Sequence, residues 1–461
     1  MSESEEQLKA AGDVLTEEIF LTLGNGEQID IKNFAVEFNL YEDVFSPCMT
    51  GAVLISDSAN LIATLPILGN ELITVKYRTP TLPDDYTHTI SKTFQLYSIE
   101  NRTLNNDRET YYNLCFISRE GFRDKFNALV RGYKGPTHEI VSKIYQDYIE
   151  CDRRIDIPDV PTGLLITDTP HQSNIRYVSN HWSPFRNFDF ISKRVKGATL
   201  NGSDYLFFES NKSFYFSSIE GLIHAQSENK FEEYVIELQA DTIERRSFGA
   251  SYYGIQLPSA MTRVTNIKMP KTMDIIEGQD TGYHAHNIRG YDLTTKNMIE
   301  SNFDFRAQNQ GFVKTDTGIP IPDTLPYNPY SFSQFVPYAT SLFNDYGTSD
   351  NQNLPNNHPA QYITDRMHYR RGYLNSFNNY TFEMEIPGRT DMAIGQVIDI
   401  LYPSARERYD NENEPQMYFD PLLSGSYFIS AIRHKITNGE HIITAEVIKN
   451  GLAASLGAPP V

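Results

Sequence analysis

Residues 424–451 read SGSYFISAIRHKITNGEHIITAEVIKNG. Asn438-Gly439 can take the positive φ angles of a two-residue turn, so the stretch reads as an antiparallel hairpin with Phe428, Ile432 and Val447 as core positions. An echo of it stands more than 300 residues earlier. LPILGNELITVKY is followed by TFQLYSIENRTLNNDRETYYNLCFIS, just as DMAIGQVIDILYP is followed by the C-terminal hairpin. Gly69 matches Gly395, Leu72-Ile73 matches Val397-Ile398, and Phe94, Leu96 and Ile99 match Tyr427, Ile429 and Ile432. Any two antiparallel meanders look somewhat alike, but here order and spacing both hold, which favours one β unit occurring twice.

A chain of 461 residues is too long for one compact core, and two to four domains are expected. Its 29 Tyr and 27 Phe against one Trp suit strands and interfaces. The net charge of −19 argues against a nucleic-acid binder, which needs basic patches, although an acidic channel could still let nucleic acid pass. Cys48, Cys115 and Cys151 form no disulfide framework and no CxxC pair, which suggests a reducing compartment. The start, MSESEEQLKAAGDVL, has no signal-peptide character, and no run of 18 apolar residues exists, so a soluble protein made in a cytoplasm is expected.

Outward from the two meanders, residues 1–14 read as a flexible or helical tail. Residues 15–120 read as a first β domain, opening on a hairpin turned by Asn25-Gly26 and completed by about 203–260. A helical insertion is expected over 121–202. In it Phe122, Phe126, Leu129 and Val130 share a helical stripe, PTHEIVSKIYQDYIE carries another, and a third helix has Ser183 as N-cap, Pro184 at N1 and Gly197 as C-cap. A second β domain covers 261–307, completed by about 375–452. Between its parts, 308–374 hold a Tyr/Pro/Asn-rich stretch to 358 and then a helix. So long a loop reads as a small subdomain, an interaction arm or a lid on its own domain. Residues 453–461 form a C-terminal tail.

NHWSPFRNFDFISKRVKG…DYLFFESNKSFYFSS resembles the middle of the baseplate hub proteins of contractile-tailed bacteriophages, with Trp182, Pro184, Phe207, Phe208, Phe214 and Phe216 at the family's aromatic and helix-start places. The early MTGAVLISDSANL…LPILGNELITV and the ending IPGRTDMAIGQVIDI…GSYFISAIRHKI…HIITAEVIKN resemble the same family, so the likeness covers most of 17–452; the arm at 308–358 and a polar insert at 404–421 depart from it. The resemblance implies a mainly β, α+β fold. Two duplicated tube-type antiparallel β-barrel domains would carry inserted helical and irregular subdomains in a ring-shaped homotrimer. It implies a structural protein of the virion, assembled in the host cytoplasm. The partners would be other copies of itself, a central spike protein, the tail tube protein or a tube-initiating ring, and the surrounding baseplate wedge proteins. DNA would pass only in transit, with no membrane insertion and no cofactor. The related hub module of type VI secretion spike proteins is fused to its spike; here GLAASLGAPPV closes the sequence without spike repeats, so a separate spike chain is expected.

No GxSxG, HExxH, Walker, GxGxxG or paired-cysteine motif is present, and a non-enzymatic protein is expected. The alternatives are a peptidoglycan-degrading tail lysozyme, which would need two carboxylates flanking one bond, and a carbohydrate-binding adhesion module. His284 and His286 could share a strand face and bind a metal with a third ligand; otherwise they are two half-exposed strand histidines. His138 and His434 read as lone structural residues. Arg370 and Arg371 could meet a partner carboxylate or lie on a solvated helix face. Tyr327, Tyr330, Phe332, Phe335 and Tyr338, in a proline-stiffened segment, are the partner-contact candidates.

Overall fold

The computed structural model describes residues 10–150, 164–226, 233–236, 261–338, 363–403 and 419–453, apart from positions 66, 81, 86–87, 107–108, 167–169, 171–173, 201, 294–295 and 323–324. Most of the expected N-terminal tail, Cys151, the 339–358 part of the arm, most of the polar insert and the C-terminal tail lie outside the described residues.

Seven strands come first: β1 (Leu15–Thr22), β2 (Gln28–Asp30), β3 (Ala35–Asp43), β4 (Thr50–Asp57), β5 (Leu72–Arg78), β6 (Thr89–Asn106) and β7 (Glu109–Ser118). They pair antiparallel in the order β2-β1-β5-β6-β7-β4-β3. Next, β8 (Gly132–Pro136), β9 (Leu164–Leu165), β10 (Asn174–Val178), β11 (Tyr205–Glu209) and β12 (Phe214–Ser218) make two small sheets, β8 with β10 and β11-β12-β9. After β13 (Glu233–Ile236), β14 (Arg263–Val264) and β15 (Asn266–Thr272), the strands β16 (Ala285–Asp292), β17 (Met298–Asp304) and β18 (Ser333–Tyr338) form a third small sheet. The chain ends on β19 (Tyr380–Pro387), β20 (Val397–Leu401), β21 (Gly425–Thr437) and β22 (Glu440–Lys449), which join β13 to β15 in the order β14-β13-β20-β21-β22-β19-β15.

β21 is long enough to serve two neighbours along one edge. Its residues 425–428 pair with β20, and its residues 431–437 pair with β3, from Ala431 opposite Asp43 to Thr437 opposite Glu37. This joint links the N-terminal strands to the C-terminal ones. Of residues 203–260, expected to complete the first β domain, the described strands lie elsewhere: β11 and β12 in their own sheet, and β13 beside β20.

The two meanders share their register. Ile73 faces Phe94 across β5 and β6, and Ile398 faces Tyr427 across β20 and β21. Ladder irregularities fall between Leu96 and Ser98 and between Ile429 and Ala431. Just before each, Leu96 N donates to Glu71 O and Ile429 N to Gln396 O, both at 2.9 Å. Gly69 and Gly395, which open the two meanders, take φ of 90° and 84°, a region costly for any side chain. The match extends outward, with Leu96–Phe116–Gly51 in one sheet standing where Ile429–Val447–Phe382 stand in the other. Phe38 opposite Val53 likewise corresponds to Ile267 opposite Met384. Strand by strand, β3-β4-β7-β6-β5 has the order of β15-β19-β22-β21-β20.

Three apolar cores follow from the alternation of these strands. One gathers Leu21, Phe38, Val53, Val75, Phe94 and Phe116 from the N-terminal strands. A second gathers Phe382, Val397, Tyr427, Phe428 and Val447 from the C-terminal ones, and the third belongs to residues 129–216.

Locally, several expectations are corrected. The first helix ends at Phe126, so Leu129 instead bridges to Trp182 as extended chain and Phe126 and Val130 are exposed. The helix begun by Ser183 and Pro184 stops at Ser192, well before Gly197, whose N–H donates to Gly202 O. At the first hairpin only Gly26 has positive φ, and Leu23 N bonds Glu27 O around a longer loop. Asn438 and Gly439 do both take positive φ, and Thr437 faces Glu440 as a two-residue turn requires.

Candidate assembly interface

The β11–β12 hairpin separates two cores. Phe207, Phe214 and Phe216 alternate onto one face, in the core of residues 129–216, where the Phe207 ring lies 4.3 Å from Phe188 and 5.7 Å from Phe214. Phe208 turns the other way and packs with Leu222 in the C-terminal core, beside Gly395. Trp182 is half-buried with its ring 5.1 Å from Phe190, and Pro184 is buried. All the aromatic positions that carry the resemblance therefore pack within the chain.

The turn of this hairpin enters the joint between the N- and C-terminal strands. Glu209 is buried, its Oε1 3.0 Å from Lys92 Nζ, while its Oε2 accepts from Met49 N at 2.9 Å. Asn211 N donates to Glu42 Oε2 at 2.9 Å and Asn211 Nδ2 to Met392 O at 3.0 Å. Lys212 Nζ donates to Thr390 O, and burial pushes its ammonium down to about 8.

At the centre of the joint stand Glu42, His434 and His441, all buried. His434 Nε2 lies 2.9 Å from Glu42 Oε1, and His434 Nδ1 lies 3.0 Å from His441 Nε2. With Nε2–H of His434 given to the carboxylate, its Nδ1 accepts from His441, and His441 Nδ1 is left as a bare acceptor. Burial, then the neighbouring His434, holds the His441 imidazolium far below its usual range. His434 is thus no lone residue. The hairpin register held the signal: Ile436 faces His441, so His434, two residues along, shares its face. Glu42 comes from a distant strand and had none.

His284 and His286 are buried rather than half-exposed, and the helix Ile363–Ser376 packs on β16 with its His368 against His286. His286 Nδ1 donates to Gly282 O, and its Nε2 lies 2.9 Å from His368 Nδ1. The His284 ring packs instead on Gly278 and Tyr283. Burial pushes His284 and His368 down to about 4 and His286 to about 3. Among the described residues no group of three or more His, Cys, Asp or Glu could hold a metal ion.

Arg370 and Arg371 face inward: Arg370 donates to Ser203 O and Tyr205 O, and Arg371 to Thr281 O and to Gln334 Oε1. Within the expected arm, residues 312–318 pack on their own chain, with Val313 N on Glu220 Oε1, Thr315 N on Asn450 Oδ1 and Gly318 bridged to Leu452. Beyond them, β18 pairs parallel with β16, from Asn287 opposite Ser333 to Asp292 opposite Tyr338. Tyr327, Tyr330 and Phe335 are exposed, whereas Phe332 is half-buried beneath the Arg371 guanidinium, 4.1 Å from its ring centre. Tyr338 closes β18. The buried carboxylates Asp204 and Glu220 serve the backbone, Asp204 Oδ2 accepting from Glu220 N at 3.0 Å, and burial pushes Asp204 up to about 6.

No family model matches the chain, and no curated protein matches it. Solved structures do. The tail protein from Neisseria meningitidis MC58 aligns over 95% of this chain and 99% of its own, at 9% identity and a TM-score of 0.52. The 43 kDa tail protein of prophage MuSo2 from Shewanella oneidensis aligns over 94% and 99%, at 8% identity and 0.52. The chain shares the fold of these tail proteins. No helix among the described residues is long and apolar enough to cross a membrane.

Proposed function

We propose that the chain is a structural baseplate hub of a contractile phage tail. Three copies would form a ring with pseudo-sixfold symmetry, joining a central spike to a six-fold tail tube, templating tube assembly and leaving a channel for DNA. The observation that carries this reading is the register shared by β3-β4-β7-β6-β5 and β15-β19-β22-β21-β20. Two like sheet units per chain, in a closed trimer, present six like faces around one axis, which is what a six-fold partner needs. The tail-protein fold supports the same reading.

In this reading the two units are tube-type barrels, one over about 15–120 and the other over 261–307 with 375–452, and the helical insertion and the arm are carried between them. The role is mechanical rather than enzymatic, and the location is the tail of a virion. With a net charge of −19, acidic groups facing the channel would keep DNA from adhering. The test is mass in solution, alone and with the spike chain of the same phage. A trimer is expected in the presence of the spike; a strict monomer there overturns the hub. Clearing of a peptidoglycan suspension by the purified chain would instead support the lytic reading, and glycan binding by a stable monomer the adhesion module.

A further inference from the structure

Among the described residues, two open sheet edges are complementary to each other. Beyond Gln95, β6 leaves β5 behind, and among the described residues the edge of β6 that faces away from β7 has no strand beside it. Among the described residues β15 pairs with β19 on one side only. In the matching unit neither edge is open: the stretch of β21 equivalent to outer β6 pairs with β3, and β3 is the strand equivalent to β15.

We infer that outer β6 of one copy pairs antiparallel with β15 of a second copy, repeating the β21–β3 joint between chains. This rests on the hub reading and specifies its interface. The shared register sets the partners. Lys435 opposite Asn39 becomes Thr103 opposite Lys268, and Ile436 opposite Phe38 becomes Leu104 opposite Ile267. Arg433 opposite Tyr41 becomes Glu100 opposite Lys271.

Three observations support the pairing. First, each strand carries a ladder irregularity at the same level, between Glu100 and Thr103 in β6 and between Lys268 and Lys271 in β15, so the two remain in step across it. Asn101, with φ of 54°, and Pro270 fall inside these irregularities, where a missing ladder bond costs least. Second, exposure differs between equivalent positions. Leu104 is 71% exposed and Tyr97 51%, whereas Ser430, which corresponds to Tyr97 and lies beside β3, is wholly buried. Third, the intrachain joint shows that the equivalent strands β21 and β3 accept each other in this geometry. An open edge with apolar side chains is a template for another strand, and a closed ring of copies removes it.

The test is cysteine pairing in the full chain mixed with the spike chain under oxidising conditions, read on a non-reducing gel, with native mass measured in parallel. Thr103→Cys with Lys268→Cys places the two thiols directly opposite; Thr103→Cys with Asn266→Cys moves them two residues apart, beyond disulfide reach. We expect most of the first variant to shift to covalent dimers and trimers, with the second and the unmodified chain staying at monomer mass. A native trimer without that cross-link overturns the edge pairing and leaves the hub standing. A covalent ladder running past three chains keeps the edge pairing and overturns the trimer. Monomer by both measures overturns both.

Discussion

At the scale of single residues, the buried histidines set how the fold responds to acid. His284, His286, His368 and His441 all resist protonation in the folded chain, because burial disfavours the imidazolium and, for His286 and His441, a second imidazole lies alongside. Their folded values lie below the unfolded one. The unfolded chain therefore takes up protons first, and their contribution to stability is complete above about pH 6.5 and declines as the pH falls, by up to about 1.4 kcal/mol per pH unit for each histidine. Asp204 acts in the opposite sense: raised to about 6, it protonates in the folded chain first and adds stability as the pH falls through that value. Burial raises Asp43 and Asp124 in the same direction as Asp204, but the four histidines begin to lose ground near pH 6.5, well above the ordinary carboxylate range, so the denaturation midpoint should drop between about pH 7 and pH 5; a flat or rising midpoint contradicts this. Packing around His441 gives a second test. A Cβ on Gly388 would overlap the His441 ring, and Gly388 N is already tied to His441 O at 2.7 Å. Neither side can yield, so Gly388→Ala should cost about 1–3 kcal/mol in chemical denaturation.

At the scale of elements, the C-terminal hairpin shows conformation acting without packing. Gly439 has φ of 82°, and nothing lies within 4 Å of where a Cβ would be. Gly439→Ala should therefore cost only the left-handed backbone penalty, about 1–2 kcal/mol, with the hairpin register kept. A loss above about 4 kcal/mol would show that the turn also packs against something. This hairpin was legible in the sequence because its turn chemistry and strand alternation agree. The helix over residues 119–130 was legible only to Phe126: its apolar spacing continues, but Leu129 does better as extended chain bridged to Trp182. Likewise β18 was hidden in a Tyr- and Pro-rich stretch, since its ladder partner β16 is more than 40 residues away.

At the scale of the whole molecule, one small turn holds both sheet units. Glu209 neutralises Lys92 and satisfies Met49 N inside the joint. Glu209→Ala would leave the largely buried Lys92 ammonium without its counter-charge, held only by Ser210 O and Met49 Sδ, and the Met49 N–H without its acceptor, at a cost of about 3–5 kcal/mol. Because β3, β21 and the β11–β12 turn meet there, hydrogen exchange should rise in all three segments together. A rise confined to residues 205–218 would show that the joint does not depend on Glu209.

The sequence by itself determined the β-rich class, the two meanders with their matching glycines, and the aromatic hairpin, because each depends on residues near one another in the chain. It could not determine which strand closes which sheet. That β21 leaves β20 and continues along β3, bringing Glu42 to His434 across 392 residues, is decided only in the tertiary structure. Strand edges are chemically alike, all offering the same N–H and C=O groups, so the choice between them is made by the packing of the whole chain.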